Sequence, residues 1–300
     1  MASFKFHTES LILSLRRPLS FHKGARAIFG GTLIGQALLA ASKTISTSHK
    51  AYSTQSTWLR PIIPTTKVIY RVERISDGRT YATRVVRAFQ AGDDRCGYVA
   101  IISFQNHGVL VGNILEYGLT MPELGGIHPD DITPQNIQQK MDATVNMSAP
   151  LLARDRKKRL PPFDWRLLEI HSGDEPTKFT QHGYVRSQPL STDTHAVHLA
   201  SLGFLSDDLF IGSSMLANSE KVGAGLRNVS MGGSLTHNVS FHDPAAKADE
   251  WMVCERHTTW GGDGRVLSLQ RLWNWKTGRL VMTGSQEALI RLKTEDKTKL

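Results

Sequence analysis

The chain has 300 residues, 40% of them hydrophobic and 21% charged, which are ordinary globular values, and no stretch approaches the roughly 18 consecutive apolar residues of a membrane span. A formal net charge of +9 is compatible with an anionic partner: nucleic acid, an acidic membrane surface or a polyphosphorylated small ligand. Two cysteines, Cys96 and Cys254, exclude a disulfide framework or a cysteine-built metal site and fit a reducing compartment, while the length predicts two units of similar size.

The N-terminal MASFKFHTESLILSLRRPLS has an apolar patch but neither a basic start nor a small-residue cleavage site, so no secretory signal is expected. Next comes GGTLIGQALLAASK, where Leu33, Ile34, Ala37, Leu38 and Ala41 form one apolar stripe at helical period. Its glycines at 30, 31 and 35 are expected to allow close helix-to-sheet approach. Gln36 and Lys43 argue against reading the same glycines as a membrane dimer motif.

STWLRP closes a strand at Pro61, and DGRTYATRVVRAFQAGDDRCGYVAIISFQ (77–105) reads as two alternating segments joined by a turn. From 116 to 180 the chain is rich in Pro, Gly and polar residues and reads as a linker with some short structure. The basic run RDRKKR (154–159) lacks interleaved aromatics, and a solvated linker suits it better than a nucleic-acid patch.

Beyond the linker, SDDLFIGSSMLA (206–217) predicts a second helix with Ser206 or Asp207 as N-cap and Leu209, Phe210, Ser213 and Leu216 as its stripe. SLTHNVSFH (234–242) alternates polar with apolar residues, a strand with one wet face. DGRVLSLQRLWNWKTGRLVMTGSQ (263–286) then repeats the arrangement of 77–105: Asp-Gly-Arg, a long segment, a Gly-containing turn, a second segment, Gln. The chain is therefore written twice, each copy a helix followed by an antiparallel meander.

FGGTLIGQALLAASKTI, STWLRP, DGRTYATRVVRAFQ and ISFQ resemble the N-terminal half of the type II acyl-CoA thioesterases, a family of two fused hotdog domains. GFLSDDLF, SLTHNVSFH, DEW and GRLVMTGSQEALIR resemble its C-terminal half. The resemblance implies an α+β protein of two tandem hotdog domains, each a central helix wrapped by an antiparallel sheet, with the sheets joined edge to edge as a pseudo-dimer. The domains would be 1–115 and 181–300, with 116–180 between them. It implies acyl-CoA thioester hydrolysis to free acid and CoA, with no cofactor, no metal, no nucleic acid, and a dimer or tetramer as the assembly.

Carried over residue by residue, the family's catalytic Asp, hydroxyl and Gln fall on Asp207, Ser234 and Gln286. The Asp would be base or acceptor for a water that Ser and Gln orient, and the front of the second-half helix would hold it as a carboxylate. The first half has glycines at 30 and 31 where that Asp is expected and matches Gln286 only through Gln105, which implies one active site per chain. The family's usual Leu-Asp-His-Ser and Phe-His-Arg-Pro are replaced by Leu235-Thr236-His237-Asn238 and Phe241-His242-Asp243-Pro244. His237 and His242, five apart on a strand, face opposite ways and are poor metal partners.

Asp193 to His198, DTHAVH, matches an acid/base pair of hotdog hydratases in spacing alone, and it keeps a hydratase or dehydratase as the rival enzyme. A catalytically drifted acyl-CoA binding protein is the rival from another class. The surplus of Lys and Arg suits the phosphates of CoA. Thr298-Lys299-Leu300 is one residue from the Ser-Lys-Leu peroxisomal address, and the peroxisome is expected ahead of the cytoplasm.

Overall fold

The computed structural model of the chain describes residues 3–7, 10–15, 27–109, 112–132 and 162–294. The basic run at 154–159 and the tail at 298–300 lie outside them.

Among the described residues twelve strands form one antiparallel sheet. The first half supplies β1 (Ser3–His7), β2 (Ser10–Leu15), β3 (His49–Trp58), β4 (Val68–Asp77), β5 (Tyr81–Gln90) and β6 (Cys96–Asn106). The second supplies β7 (Phe163–His171), β8 (Thr180–Ser187), β9 (Val229–Phe241), β10 (Met252–Gly262), β11 (Arg265–Asn274) and β12 (Leu280–Leu292). Their order is β1-β2-β4-β5-β6-β3-β9-β12-β11-β10-β8-β7. The halves meet through β3 and β9, paired from Ser53↔Ser240 to Thr57↔Thr236, as the edge-to-edge junction predicts. That junction is symmetric about Gln55↔Asn238, so a pseudo-twofold relates the halves.

Both hairpins read from Asp-Gly are present. Asp263 and Gly264, at φ 52° and 74°, link the paired Gly262 and Arg265, the left-handed geometry of a two-residue hairpin that Gly and Asp tolerate best. The span 116–180 holds more structure than its composition suggests. Strand β7 falls in it and pairs with β8 at the edge of the second half's sheet. Residues 112–132 lie on the outer face of that sheet, where Met121, Leu124 and Ile132 pack on Tyr184, Trp251, Val253 and Trp273.

The helices occupy the inner face: α1 (Gly30–Ser42), α2 (His195–Leu205), α3 (Phe210–Ala217) and the short α4 (Ser219–Val222). The predicted stripe of α1 is buried throughout, but the second half differs from expectation. Its helical segment begins eleven residues early and is broken at 206–209, so Asp207 lies after α2 instead of capping a helix that starts at 206. The stretch His195–Ala217 is as long and apolar as a membrane span, but α2 is sandwiched against α1 and the sheet, which accounts for its apolarity. Gly31 and Gly35 of α1 serve helix-to-helix rather than helix-to-sheet approach. A Cβ on Gly35 would lie 2.7 Å from the Ala200 carbonyl, and one on Gly31 would collide with the Phe204 carbonyl.

Candidate active site

The break between α2 and α3 is a corner, Ser206-Asp207-Asp208-Leu209, closed by Leu209 at φ 58°, a conformation that costs a non-glycine residue of the order of 1 kcal/mol. The sheet clamps it. Gln270 Nε2 donates to the Ser206 carbonyl (2.5 Å) and Arg256 Nη2 to the Asp208 carbonyl (2.7 Å). Trp165 Nε1 donates to Asp208 Oδ2 (2.7 Å). Ser206 Oγ donates to the Gly203 carbonyl, so it accepts from His237 Nε2 at 2.8 Å. Arg256 itself is buried, its guanidinium stacked over Trp165 and Phe210 at 4.6 and 5.5 Å from the ring centroids.

Held this way, Asp207 reaches out of its own half. Its Oδ2 accepts the Gly31 backbone N–H at the N-terminus of α1 (2.7 Å). Its Oδ1 accepts from Gln286 Nε2 (2.5 Å), and the same amide nitrogen donates to Ser234 Oγ (3.1 Å). The three residues singled out from the sequence are thus joined by hydrogen bonds, although they come from a helix corner and from the central parts of β9 and β12. Register explains how the strands deliver them. Gln286 pairs with His237 and Ala288 with Ser234, with Leu235 bulged between, and the extra residue turns Ser234 to the same inner face as His237 and Gln286.

Gly30 is the floor of the site. A Cβ there would lie 2.7 Å from both Asp207 Oδ2 and the Trp58 ring, so only glycine leaves room for the carboxylate against α1. The sequence marks both glycines as packing residues; their role as the seat of a side chain from the other half is legible only in three dimensions. Trp58 and His237, ring centroids 6.0 Å apart, form a wall that sequence reasoning also missed.

Burial dominates the electrostatics. Asp207 is 5% exposed, and loss of solvent pushes its carboxyl up to about 7, the nearby Asp208 charge adding to the rise. Donors from Gln286, Gly31 and Ser234 pull the other way but do not win. The expectation that a helix N-terminus simply holds this group as a carboxylate is corrected on both counts: the helix is the other half's, and the proton is shared near neutrality. His237, wholly buried, is driven down to about 3 by burial and then by Arg256, so it is a neutral core histidine. His242 is exposed on the opposite side of the strand and meets the Thr283 hydroxyl.

The pseudo-twofold locates the companion position. It exchanges His237 with Thr54 and Ser234 with Ala51, and the bulge recurs at Tyr52. Thr54 pairs with Ile102, so Ile102, not Gln105, occupies the place of Gln286. With alanine for the hydroxyl, isoleucine for the amide and Lys43-Thr44-Ile45 after α1 in place of an acid, the first half lacks the set. A cavity of about 350 Å³ lies there, bordered by Ala51, Gln105, His195 and Phe241.

The DTHAVH segment runs into α2, with Thr194 at the N-cap and His195 to His198 in its first turn. His198 Nδ1 accepts the Ala248 N–H (3.1 Å), tying α2 to the loop after β9, and Nε2 donates to Asp193 (2.7 Å) just ahead of α2, so both ring nitrogens are spent on structure. This pair is structural.

Family models described as the acyl-CoA thioesterase N-terminal and C-terminal domains match residues 17–105 and 133–290. Acyl-coenzyme A thioesterase 8 of Mus musculus is 28% identical over 282 residues, covering 90% of this chain and 82% of its own length. The peroxisomal acyl-coenzyme A thioester hydrolase 1 of Saccharomyces cerevisiae is 31% identical over 107 residues, 36% of this chain and 30% of that protein. In fold, the acyl-CoA thioesterase II TesB2 of Mycobacterium marinum superposes with a TM-score of 0.72 at 22% identity, over 97% of both chains. The chain belongs to the type II acyl-CoA thioesterase family, two tandem hotdog domains in one polypeptide, and is an acyl-CoA thioester hydrolase.

Proposed function

We propose that hydrolysis runs through a water activated by Asp207 and oriented by Ser234 and Gln286, with no covalent enzyme intermediate. The observation that carries this reading is the continuous hydrogen-bonded set Gly31–Asp207–Gln286–Ser234 at the seam of the two halves. Asp207 takes a proton from water as its oxygen attacks the thioester carbonyl carbon. The C–S bond then breaks, the electron pair leaves on sulfur, and the same proton passes from Asp207 to the CoA thiolate. A carboxyl that titrates near 7 suits both steps, since it is ionised often enough to accept the proton and acidic enough to return it. The positive end of α1 faces the charge that develops beside it.

A thiol-reactive chromophore tests the reading across acyl-CoA chain lengths. Free CoA is released by the native chain and release is lost in Asp207→Asn. Enoyl-CoA hydration without thiol release, or Asp207→Asn at native rates, refutes it. We also propose a peroxisomal location, supported by the likeness to the yeast peroxisomal enzyme. An N-terminal fluorescent fusion colocalises with a peroxisomal marker if this holds, and spreads through the cytosol if it does not.

A further inference from the structure

We propose that the outer face of the second half's sheet carries a divalent transition-metal site built by Glu169, His171 and His182, a zinc-type site that clips the edge strand β7 to β8. The register assembles it. Glu169 and His171 are two apart on β7 and share a face, and His182 stands opposite Glu169 on β8. Glu255 stands opposite His182 on β10, and Arg271 opposite Glu255 on β11. One donor atom from each of Glu169, His171 and His182 lies within 4.8 Å of the other two. Ligand atoms around tetrahedral zinc, at about 2.0–2.2 Å from the ion, sit about 3.3 Å from one another, so a contraction of at most about 1.5 Å between donor atoms completes the set.

The hydrogen bonding of His182 points the same way. Its Nε2 meets Glu255 Oε2 at 3.1 Å, and Arg271 Nη1 holds the other oxygen of Glu255 at 2.7 Å. A carboxylate gripping the far nitrogen of an imidazole is the arrangement that orients a metal-binding histidine. With the proton on Nε2, Nδ1 presents a lone pair. That atom is buried, has no hydrogen-bond partner, and lies 2.8 Å from Glu169 Oε1. At that distance the pair is held either by a proton on Nδ1 or by a cation between the two atoms, and the metal competes with that proton. His171 Nε2, 3.3 Å from Glu169 Oε2, completes a set of two imidazoles and one carboxylate, the donors zinc accepts readily.

The cluster is separate from the proposed hydrolytic machinery. Glu255 alternates with Arg256, which turns inward to the corner carrying Asp207, so the metal-binding row and the corner lie on opposite faces of the sheet. Its function is mechanical: it ties down β7, which has a partner on one side only among the described strands.

Zinc chloride added to the chelator-stripped full chain, followed by calorimetry and thermal melting, tests the site. One equivalent binds with a micromolar or tighter Kd, and the melting temperature rises by several degrees, as saturating a native-state site requires. Cobalt in its place gives the intense visible bands of a tetrahedral N/O site. His171→Ala, exposed and therefore safe for folding, weakens zinc binding at least tenfold and removes the melting shift, while thiol release from acyl-CoA is unchanged. Glu169→Gln behaves likewise. Absence of zinc binding by the native chain, or binding indifferent to both substitutions, overturns the proposal.

Discussion

Replacing Asp207 by Asn separates the cost of the buried carboxylate from its use. In the native chain the carboxyl is 5% exposed and titrates at about 7 against an ordinary 3.8. Because the folded value lies above the unfolded one, folding is least burdened below about pH 4, where the group is protonated in both states, and stability is lost as pH rises through about 7. At about 1.4 kcal/mol per pH unit the difference caps the cost at about 4 kcal/mol above pH 7.

Asn removes that cost if the surroundings accept it, and they do. Asn Oδ1 still takes the Gly31 N–H, and rotation of the Gln286 amide brings Oε1, buried and without a partner, to face the Asn donor. The variant is therefore expected to be inactive and more stable. At about 2–4 °C per kcal/mol, and allowing half the cap for relaxation, its melting temperature at pH 8 exceeds the native value by roughly 4–8 °C. The gain shrinks to a degree or so at pH 4. Parallel melting scans of both chains at pH 4, 6 and 8 measure it. A variant equal to or less stable than the native chain at pH 8 refutes the claim that burial holds this carboxyl up.

The same carboxyl sets the rate profile, so kcat/KM rises with pH around a midpoint near 7. Asp208→Asn, which removes a neighbouring charge yet keeps an acceptor for Trp165, shifts that midpoint to lower pH; an unmoved midpoint excludes Asp208 as a contributor. Ser234→Ala leaves the Asp207–Gln286 bond in place and lowers kcat about 10- to 100-fold by single-turnover thiol release. Gly31→Ala drives a methyl into the Phe204 carbonyl and costs about 1–3 kcal/mol in denaturant unfolding, whereas Gly30→Ala displaces the carboxylate and is read in lost activity.

What the sequence disclosed follows from where its signals are local. The Asp-Gly hairpins and the stripe of α1 are written in neighbouring residues, and the structure keeps them. The sequence points to 206–217 as the second helix because that stretch carries a cap residue and a stripe, while His195–Leu205 is apolar nearly all round and shows no face, as a helix sandwiched between α1 and the sheet must. Gln105 corresponds to Gln286 by its place in the repeat; a bulge at Tyr52 and the pairing of Ile102 with Thr54 are invisible without the register. The Glu and His cluster on β7 and β8 is likewise made by cross-strand neighbours eleven and more positions apart.

Asp207, Ser234 and Gln286 all lie in the second repeat, yet the seat of the carboxylate, Gly30 and Gly31, lies in the first. The two copies have therefore divided the work: one keeps the polar side chains, and the other keeps the bare helix end against which they close. An acid on the corner needs a helix N-terminus free of side chains, and that demand falls on α1 alone, while the equivalent end of α2 carries His195, Ala196 and Val197. Divergence at either position of the proposed site is tolerated only while its partner across the seam is kept, so the site draws on both halves.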